Sequence, residues 1–339
     1  MNKKRTGYGK YGYIFALPFT IAFLIFSLYP ILYTTIIGFT DLKGLGTTTI
    51  HFLKDDPFKN YRTIIKSDTF RTALGNTFKI WVCNFIPQVV LALALTAAFT
   101  DRRTKIRGQG LFKVIFYMPN IITAATIAIL FNAMFGYPMG PMNDLLATLN
   151  KVGFLKPMLH ALKLDNVPVY FLQSKSTAQK IVIFIQTWMW YGYTMIILIS
   201  GVLGISPDIF EAAEVDGANR LQTFFLITLP NIRTILLFTL VTSLIGGLSM
   251  FDIPKLFLLG GPDNATLTTS VFIYNQAFSG SYMYNRASAA SMIMFTIMVV
   301  CSAVMFFLLR DKDEIRLQKE KKAWMKAELA RQKREEAVK

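Results

Sequence analysis

Residues 206–233 read Ser-Pro-Asp-Ile-Phe-Glu-Ala-Ala-Glu-Val-Asp-Gly-Ala-Asn-Arg-Leu-Gln-Thr-Phe-Phe-Leu-Ile-Thr-Leu-Pro-Asn-Ile-Arg, a polar, carboxylate-rich interruption between two long apolar runs. Pro207 suits the first turn of a helix, and Asp208, Glu211 and Glu214 put negative charge near its positive end. Phe210, Ala213 and Glu214 then share one face, and Ala212, Val215 and Asn219 another. Gly217 supplies a break, a second helical segment runs from Ala218, and Pro230 marks the junction with the next apolar run. The pattern predicts a short helix–turn–helix lying across a membrane face.

The runs on either side support a membrane setting. Hydrophobic residues make up 53% of the 339 positions, aromatics 14%, and the mean hydropathy is +0.42. Soluble domains of this size rarely sit so high. Six stretches are long enough to cross a bilayer core of about 20 residues: 13–39, 72–99, 112–136, 180–205, 231–259 and 287–309. The expected class is an all-α membrane protein with six transmembrane helices. Residues 1–11 form a basic tail, 12–310 the membrane domain with its core at 70–309 and the polar loop at 206–230, and 311–339 a second basic tail. The first run is too long for a cleaved signal peptide and has no small-x-small site, so an uncleaved span is expected.

The net charge of +16 would fit nucleic-acid binding if it were gathered in one domain, but the basic residues are dispersed between spans. With six spans, the side holding both ends and the second and fourth loops carries 22 of the 36 Lys and Arg, including Arg102, Arg103, Lys105, Arg107 and Lys113 around one short loop. The positive-inside rule therefore puts both termini and the 206–230 loop in the cytoplasm. Pro18, Pro30, Pro87, Pro119 and Pro254 lie in or beside spans, where broken helices are tolerated beside neighbours or a water-lined cavity. Cys83 and Cys301 fall inside apolar spans, and His51 and His160 in separate polar loops, so neither a disulfide nor a metal site is expected.

Glu211-Ala212-Ala213, three residues, Gly217, nine residues, then Ile227-Thr228-Leu229-Pro230 resembles, without a gap, the EAA loop of membrane permeases in ATP-driven (ABC) importers. Val215-Asp216-Gly217-Ala218 is similar to the carbohydrate-uptake, maltose-type branch. So are Asn60-Tyr61, Phe70, Ala73-Leu74 and Asn76-Thr77, Phe116-Tyr117-Met118-Pro119, and Gly260-Gly261-Pro262 with Thr266. The likeness covers roughly 12–310. It implies a multi-pass subunit of the bacterial cytoplasmic membrane that forms a pore with a second, usually different permease over two ATPase subunits. An extracellular binding lipoprotein would deliver the sugar. Glu211, Ala212, Ala213, Asp216, Gly217, Leu229 and Pro230 would couple to the ATPases. The chain itself has no phosphate loop, since its only Gly-Lys, Gly9-Lys10, precedes Tyr11. No catalysis and no cofactor are expected of it.

Sugars need apolar faces for their rings and hydrogen-bonding groups for their hydroxyls. Gln186, Met189, Trp190 and Tyr193 offer these at helical spacing in the fourth span, and Ser243, Gly247 and Met250 line a stripe in the fifth. Aromatic packing and close helix approach explain the same residues equally well. Asn120, Thr123 and Asn132 add polar groups to the third span, and Asp252 and Lys255 are expected to pair with each other. Segment 137–179 reads either as a contact for a binding protein or as a variable insertion without contact, and the C-terminal tail as a solvated surface helix in preference to one held near anionic lipid. A polyol or glycerol-phosphate cargo remains an alternative. An ion-coupled transporter fits less well, because no Asp or Glu lies near the centre of a span, and a membrane enzyme would need histidine beside the loop's carboxylates.

Overall fold

A computed structural model describes residues 9–47, 49–103, 106–154, 156–161, 164, 167–280, 282–309, 320–325 and 327–328. Most of the two basic tails lies outside these residues, as does Lys105. Among the described residues the chain is helical, and its only extended pairing is one isolated bridge between Thr40 and Phe52.

In chain order, α1 is the span Tyr11–Ile37, α2 is Lys59–Lys66 and α3 is Asp68–Thr100. Then come α4 (Gln109–Ile121), α5 (Ala124–Met134), α6 (Pro141–Leu149), α7 (Lys156–Ala161) and α8 (Lys175–Leu203). The loop helix α9 is Pro207–Val215, followed by α10 (Arg233–Leu248), α11 (Asp252–Leu258), α12 (Thr269–Phe278) and α13 (Tyr284–Leu309). α1, α3, α8, α10 continued by α11, and α13 are each long and apolar enough to cross a membrane. At 33 residues, α3 reaches about 50 Å, well beyond a hydrocarbon core of about 30 Å.

The third expected span differs from a single rod. Ile122 is extended (φ −70°, ψ 135°), and α4 and α5 meet there at 90°. Pro119 sits near the end of α4 and removes one donor just before the break.

Two other prolines act through the turn before them. A π-helical stretch at Leu24–Leu28 ends two residues before Pro30, and another at Thr223–Thr228 ends two residues before Pro230. A proline ring clashes with the carbonyl four residues back, and a widened turn moves that carbonyl aside. In the second stretch Thr228 Oγ1 donates to Thr223 O at 3.3 Å, and Asn231 Nδ2 covers Ile227 O at 2.7 Å.

The chain divides into two compact units. One comprises the chain up to Trp81, Ala124–Ile183 and Leu248–Val299. Its core is Ile64, Phe70, Ala73, Leu267, Val271, Phe272, Ala289 and Ala290. The loop 259–264 turns through left-handed residues Leu259, Gly260, Asp263 and Asn264, which leaves carbonyls without helical partners. Side-chain amides supply the donors: Asn76 Nδ2 bonds Asn264 O (2.6 Å) and Leu267 O (3.1 Å), and Gln179 Nε2 bonds Ala265 O (2.9 Å). Thr77 Oγ1 accepts from the Thr269 backbone at 2.9 Å, and Asn60 donates to Gly38 O and Thr40 O. The sequence motifs at 60–61, 70–77 and 260–266 are therefore one packed, hydrogen-bonded assembly.

The other unit comprises Val82–Thr123, Phe184–Gly247 and the chain from Val300. Its core is Ala92, Phe99, Met195, Leu198, Ile199, Val202 and Ile232. A polar seam joins α3 to α8: Gln88 Nε2 donates to Thr194 Oγ1 at 2.8 Å, Thr187 Oγ1 to Asn84 O at 3.3 Å, and Thr96 Oγ1 to Met195 O at 3.4 Å. At Gly192, α8 presses so closely on α4 that an added Cβ would stand 1.9 Å from Phe116 O.

Candidate functional site: the loop helix and its arginine strap

Helix α9 starts where proline chemistry places it, with Ser206 extended at the N-cap and Pro207 in the first turn. Its end is a Schellman turn. Ala218 N–H bonds Ala213 O at 2.9 Å, Gly217 N–H bonds Glu214 O at 3.1 Å, and Gly217 has φ +77°. An added Cβ at Gly217 would meet nothing within 4 Å, so the glycine answers a backbone requirement and not a space requirement. The next turn opens with a reciprocal cap, Gln222 N–H to Asn219 Oδ1 (2.9 Å) and Asn219 N–H to Gln222 Oε1 (2.8 Å).

The two faces read from the sequence separate by burial. Ala213 is buried and Phe210 packs against the unit's core. Ile209, Ala212 and Val215 form an exposed apolar stripe at three-residue spacing, with Val215 86% exposed. Glu211, Asp216 and Gly217 are exposed beside it. Asn219 belongs to the following cap and not to this face. Leu229 is half-buried and Pro230 exposed, both in the single turn Leu229–Asn231 that follows the π stretch.

The inward side is strapped by the loop after α3. Arg103 Nη2 donates to Ala218 O at 2.8 Å, and its Nε lies 3.4 Å from Glu214 Oε1. Arg102 lies 3.7 Å from Glu211 Oε1, with its guanidinium 5.2 Å from the centre of the Phe210 ring. Arg220 lies 3.1 Å from Asp101 Oδ2. Partly exposed ion pairs contribute only about 0.2–1 kcal/mol each, but here two act on one short helix and a third holds the turn after it. The Arg103–Ala218 bond also fixes the residue that closes the Schellman turn. Behind the strap, a cavity of about 620 Å³ separates Val90, Leu93 and Ala97 of α3 from Leu221, Phe224 and Phe225.

Sequence reasoning counted Arg102 and Arg103 only as charge. The available signal was two adjacent cations in a short loop on the same side as Glu211 and Glu214.

Residues 78–312 match the family of the binding-protein-dependent transport system inner membrane component. The chain belongs to this family.

The permease is 29% identical over 308 residues to the lactose transport system permease protein LacF of Rhizobium radiobacter, covering 89% of this chain and 94% of LacF. It is 28% identical over 298 residues to the diacetylchitobiose uptake system permease protein NgcF of Streptomyces coelicolor, covering 85% and 79%. A bacterial ABC transporter involved in importing the acidic polysaccharide alginate contains a chain of the same fold (TM-score 0.70, 24% identity, 88% of this chain and 94% of that one). A second structure of an alginate ABC transporter, in complex with alginate pentasaccharide-bound periplasmic protein, gives TM-score 0.68 at 25% identity, covering 88% and 93%. This permease is thus a multi-pass inner-membrane component of a binding-protein-dependent transport system.

The residues expected to contact substrate fall into different environments. Gln186 and Met189 are buried, whereas Trp190 and Tyr193 are 42% and 41% exposed, their rings edge-to-face at 5.8 Å. Ser243 and Gly247 are half-buried on α10. Met250 is buried in the other compact unit, where its carbonyl accepts from Thr268 Oγ1 at 2.9 Å. Asn132 Nδ2 is spent on Phe257 O at 3.0 Å. The expected Asp252–Lys255 pair does not form. Asp252 occupies the exposed first turn of α11, and Lys255 Nζ donates instead to Asn275 Oδ1 at 2.8 Å. Among the described residues no three His, Cys, Asp or Glu side chains come together as metal ligands would.

Proposed function

We propose that this permease, paired with a second, homologous one, forms the pore of an ATP-driven importer of oligosaccharides. Of the two ATPase subunits below the pair, one would dock on α9, through Glu211, Ala212, Ala213, Asp216 and Gly217, with Leu229 and Pro230 passing the movement to α10. Both termini and α9 would face the cytoplasm, and an extracellular binding protein would deliver the sugar. The membrane domain would span 12–310. Gln186, Met189, Trp190, Tyr193, Ser243, Gly247 and Met250 would meet the sugar on its way through. Relatives named for lactose and diacetylchitobiose transport support a carbohydrate cargo.

The observation that carries the coupling role is the division of α9. One side is fixed by two arginines and a phenylalanine packed against the core, while the other offers an exposed apolar stripe at Ile209, Ala212 and Val215 that no other described residue covers. A helix held this way transmits a push instead of absorbing it. Val215→Asp changes a side chain that is 86% exposed and so leaves the permease folded. It should release the ATPase subunits and stop uptake, as should Glu211→Lys. Native uptake in both variants would refute the coupling assignment.

A further inference from the structure

The aromatic side chains around α11 and α12 are not absorbed by the site described above. Phe251, Tyr274, Phe278 and Tyr284 form a continuous row, with successive ring centres 5.2, 5.3 and 6.2 Å apart and every pair tilted or edge-on. Tyr274 and Phe278 are 38% and 57% exposed. At one edge of the row, the half-buried Lys255 holds its ammonium 4.6 Å from the centre of the Tyr274 ring and 2.8 Å from Asn275 Oδ1. Among the described residues no carboxylate lies within ion-pair distance of this ammonium.

Both partners of Lys255 are neutral. A ring face and an amide oxygen lower the cost of withdrawing a cation from water, but they leave its charge unbalanced. A carboxylate would complete it with a charge-assisted bond roughly twice as strong as a neutral one. The exposed rings meanwhile offer flat apolar surface with polar groups at its margin, the combination that a pyranose ring requires.

We propose that Phe251, Tyr274, Phe278 and Tyr284, with Lys255 and Asn275, form an outer saccharide subsite that favours a sugar bearing a carboxylate. The rings stack on the sugar's C–H faces, and Lys255 pairs with the uronate group. The inference rests on the sugar-permease reading. On the proposed orientation the subsite lies in the extracytoplasmic half of the span formed by α10 and α11 and at the outer start of α13.

The alternative role for Lys255 is a tether between α11 and α12, and Lys255→Gln separates the two. Glutamine retains a donor for Asn275 but carries no charge. The complete transporter, with its partner subunits, is placed in lipid nanodiscs. Binding of an oligogalacturonate and of a neutral malto-oligosaccharide of equal length is then measured by calorimetry. The native complex should bind the uronate more tightly. Lys255→Gln should weaken uronate binding roughly ten- to a hundredfold while leaving the neutral sugar within about threefold. Lys255→Arg should retain the preference, and Phe278→Ala should weaken both sugars. Equal affinity of the native complex for the two sugars would overturn the proposal, as would absence of uronate binding or an unchanged preference in Lys255→Gln. Loss of stimulation by the binding protein in Phe278→Ala, with saccharide binding intact, would assign the row to protein docking and equally overturn it. ATP-driven uptake is read in parallel. Import of neutral sugar without uronate preference sinks this inference alone, whereas no saccharide import by the complete complex sinks the sugar-permease reading.

Discussion

Gly217 offers a test in which backbone and contact effects separate cleanly. Its φ of +77° closes the Schellman turn of α9, and among the described residues nothing beyond its two chain neighbours lies within 4 Å of where a Cβ would stand. Gly217→Ala therefore clashes with nothing and acts through conformation alone. Holding a residue with a Cβ in the left-handed region costs about 1–2 kcal/mol. An exposed turn meets that cost by relaxing to another conformer, so the docking-competent turn becomes a minority state. Apparent affinity for the ATPase subunits then falls by the lost population, roughly five- to thirtyfold at about 1.4 kcal/mol per decade. Asparagine adopts the left-handed conformation far more readily, so Gly217→Asn should lose less than about threefold. The assay is titration of purified ATPase subunits onto the permease pair in nanodiscs, followed by fluorescence anisotropy, with amide exchange at Ala218 reporting the turn directly. Equal damage from Asn and Ala would refute the reasoning, because it would show that the partner needs the space at this position and not the turn.

Removing the strap should loosen the loop helix without unfolding the protein. Arg103→Ala deletes the bond to Ala218 O and the pair with Glu214, so amides of α9 should exchange about three- to tenfold faster while the melting temperature barely moves. At Gly192 the opposite holds. With Phe116 O only 1.9 Å from the position of a Cβ, Gly192→Leu must push α4 and α8 apart, and folded yield from membranes should collapse. The Gln88–Thr194 bond lies within the spans, where such bonds average about 0.6 kcal/mol and rarely exceed about 1.7. Gln88→Leu should therefore shift thermal stability by only a few degrees. A loss comparable to that of Gly192→Leu would mean the seam does more than join two helices.

The spans were legible because hydropathy is a property of composition along the chain, and the loop because carboxylates interrupt it. What escaped depends on partners remote in sequence. The 112–136 run is apolar on both sides of Ile122, so hydropathy hides the 90° turn there, and only Pro119 and the polar Asn120 and Thr123 hint at a break. Asn76, Thr77 and Thr266 were recognised by likeness, but their work of satisfying or shaping the turned loop at 259–268 is visible only in three dimensions. Lys255 shows the limit of local spacing. Three residues from Asp252 is the right separation on a helix, yet Asn275 on α12 is nearer to its ammonium. The Gln186–Tyr193 stripe was drawn as one face, but burial divides it into an inner pair and an outer aromatic pair.

The arginine strap also decides by which route a load applied to α9 travels. Along the backbone, α9 joins α8 at one end and the π stretch at the other, and α3 lies more than a hundred residues away. Through Arg102 and Arg103 it is one side chain distant from the loop that ends α3. The connection is therefore a lever with an ionic pin. At an ionic strength of 1 M, where screening acts within about 3 Å, the pin weakens while the covalent route is untouched. Stiffness at this joint is a property that the surrounding electrolyte can tune.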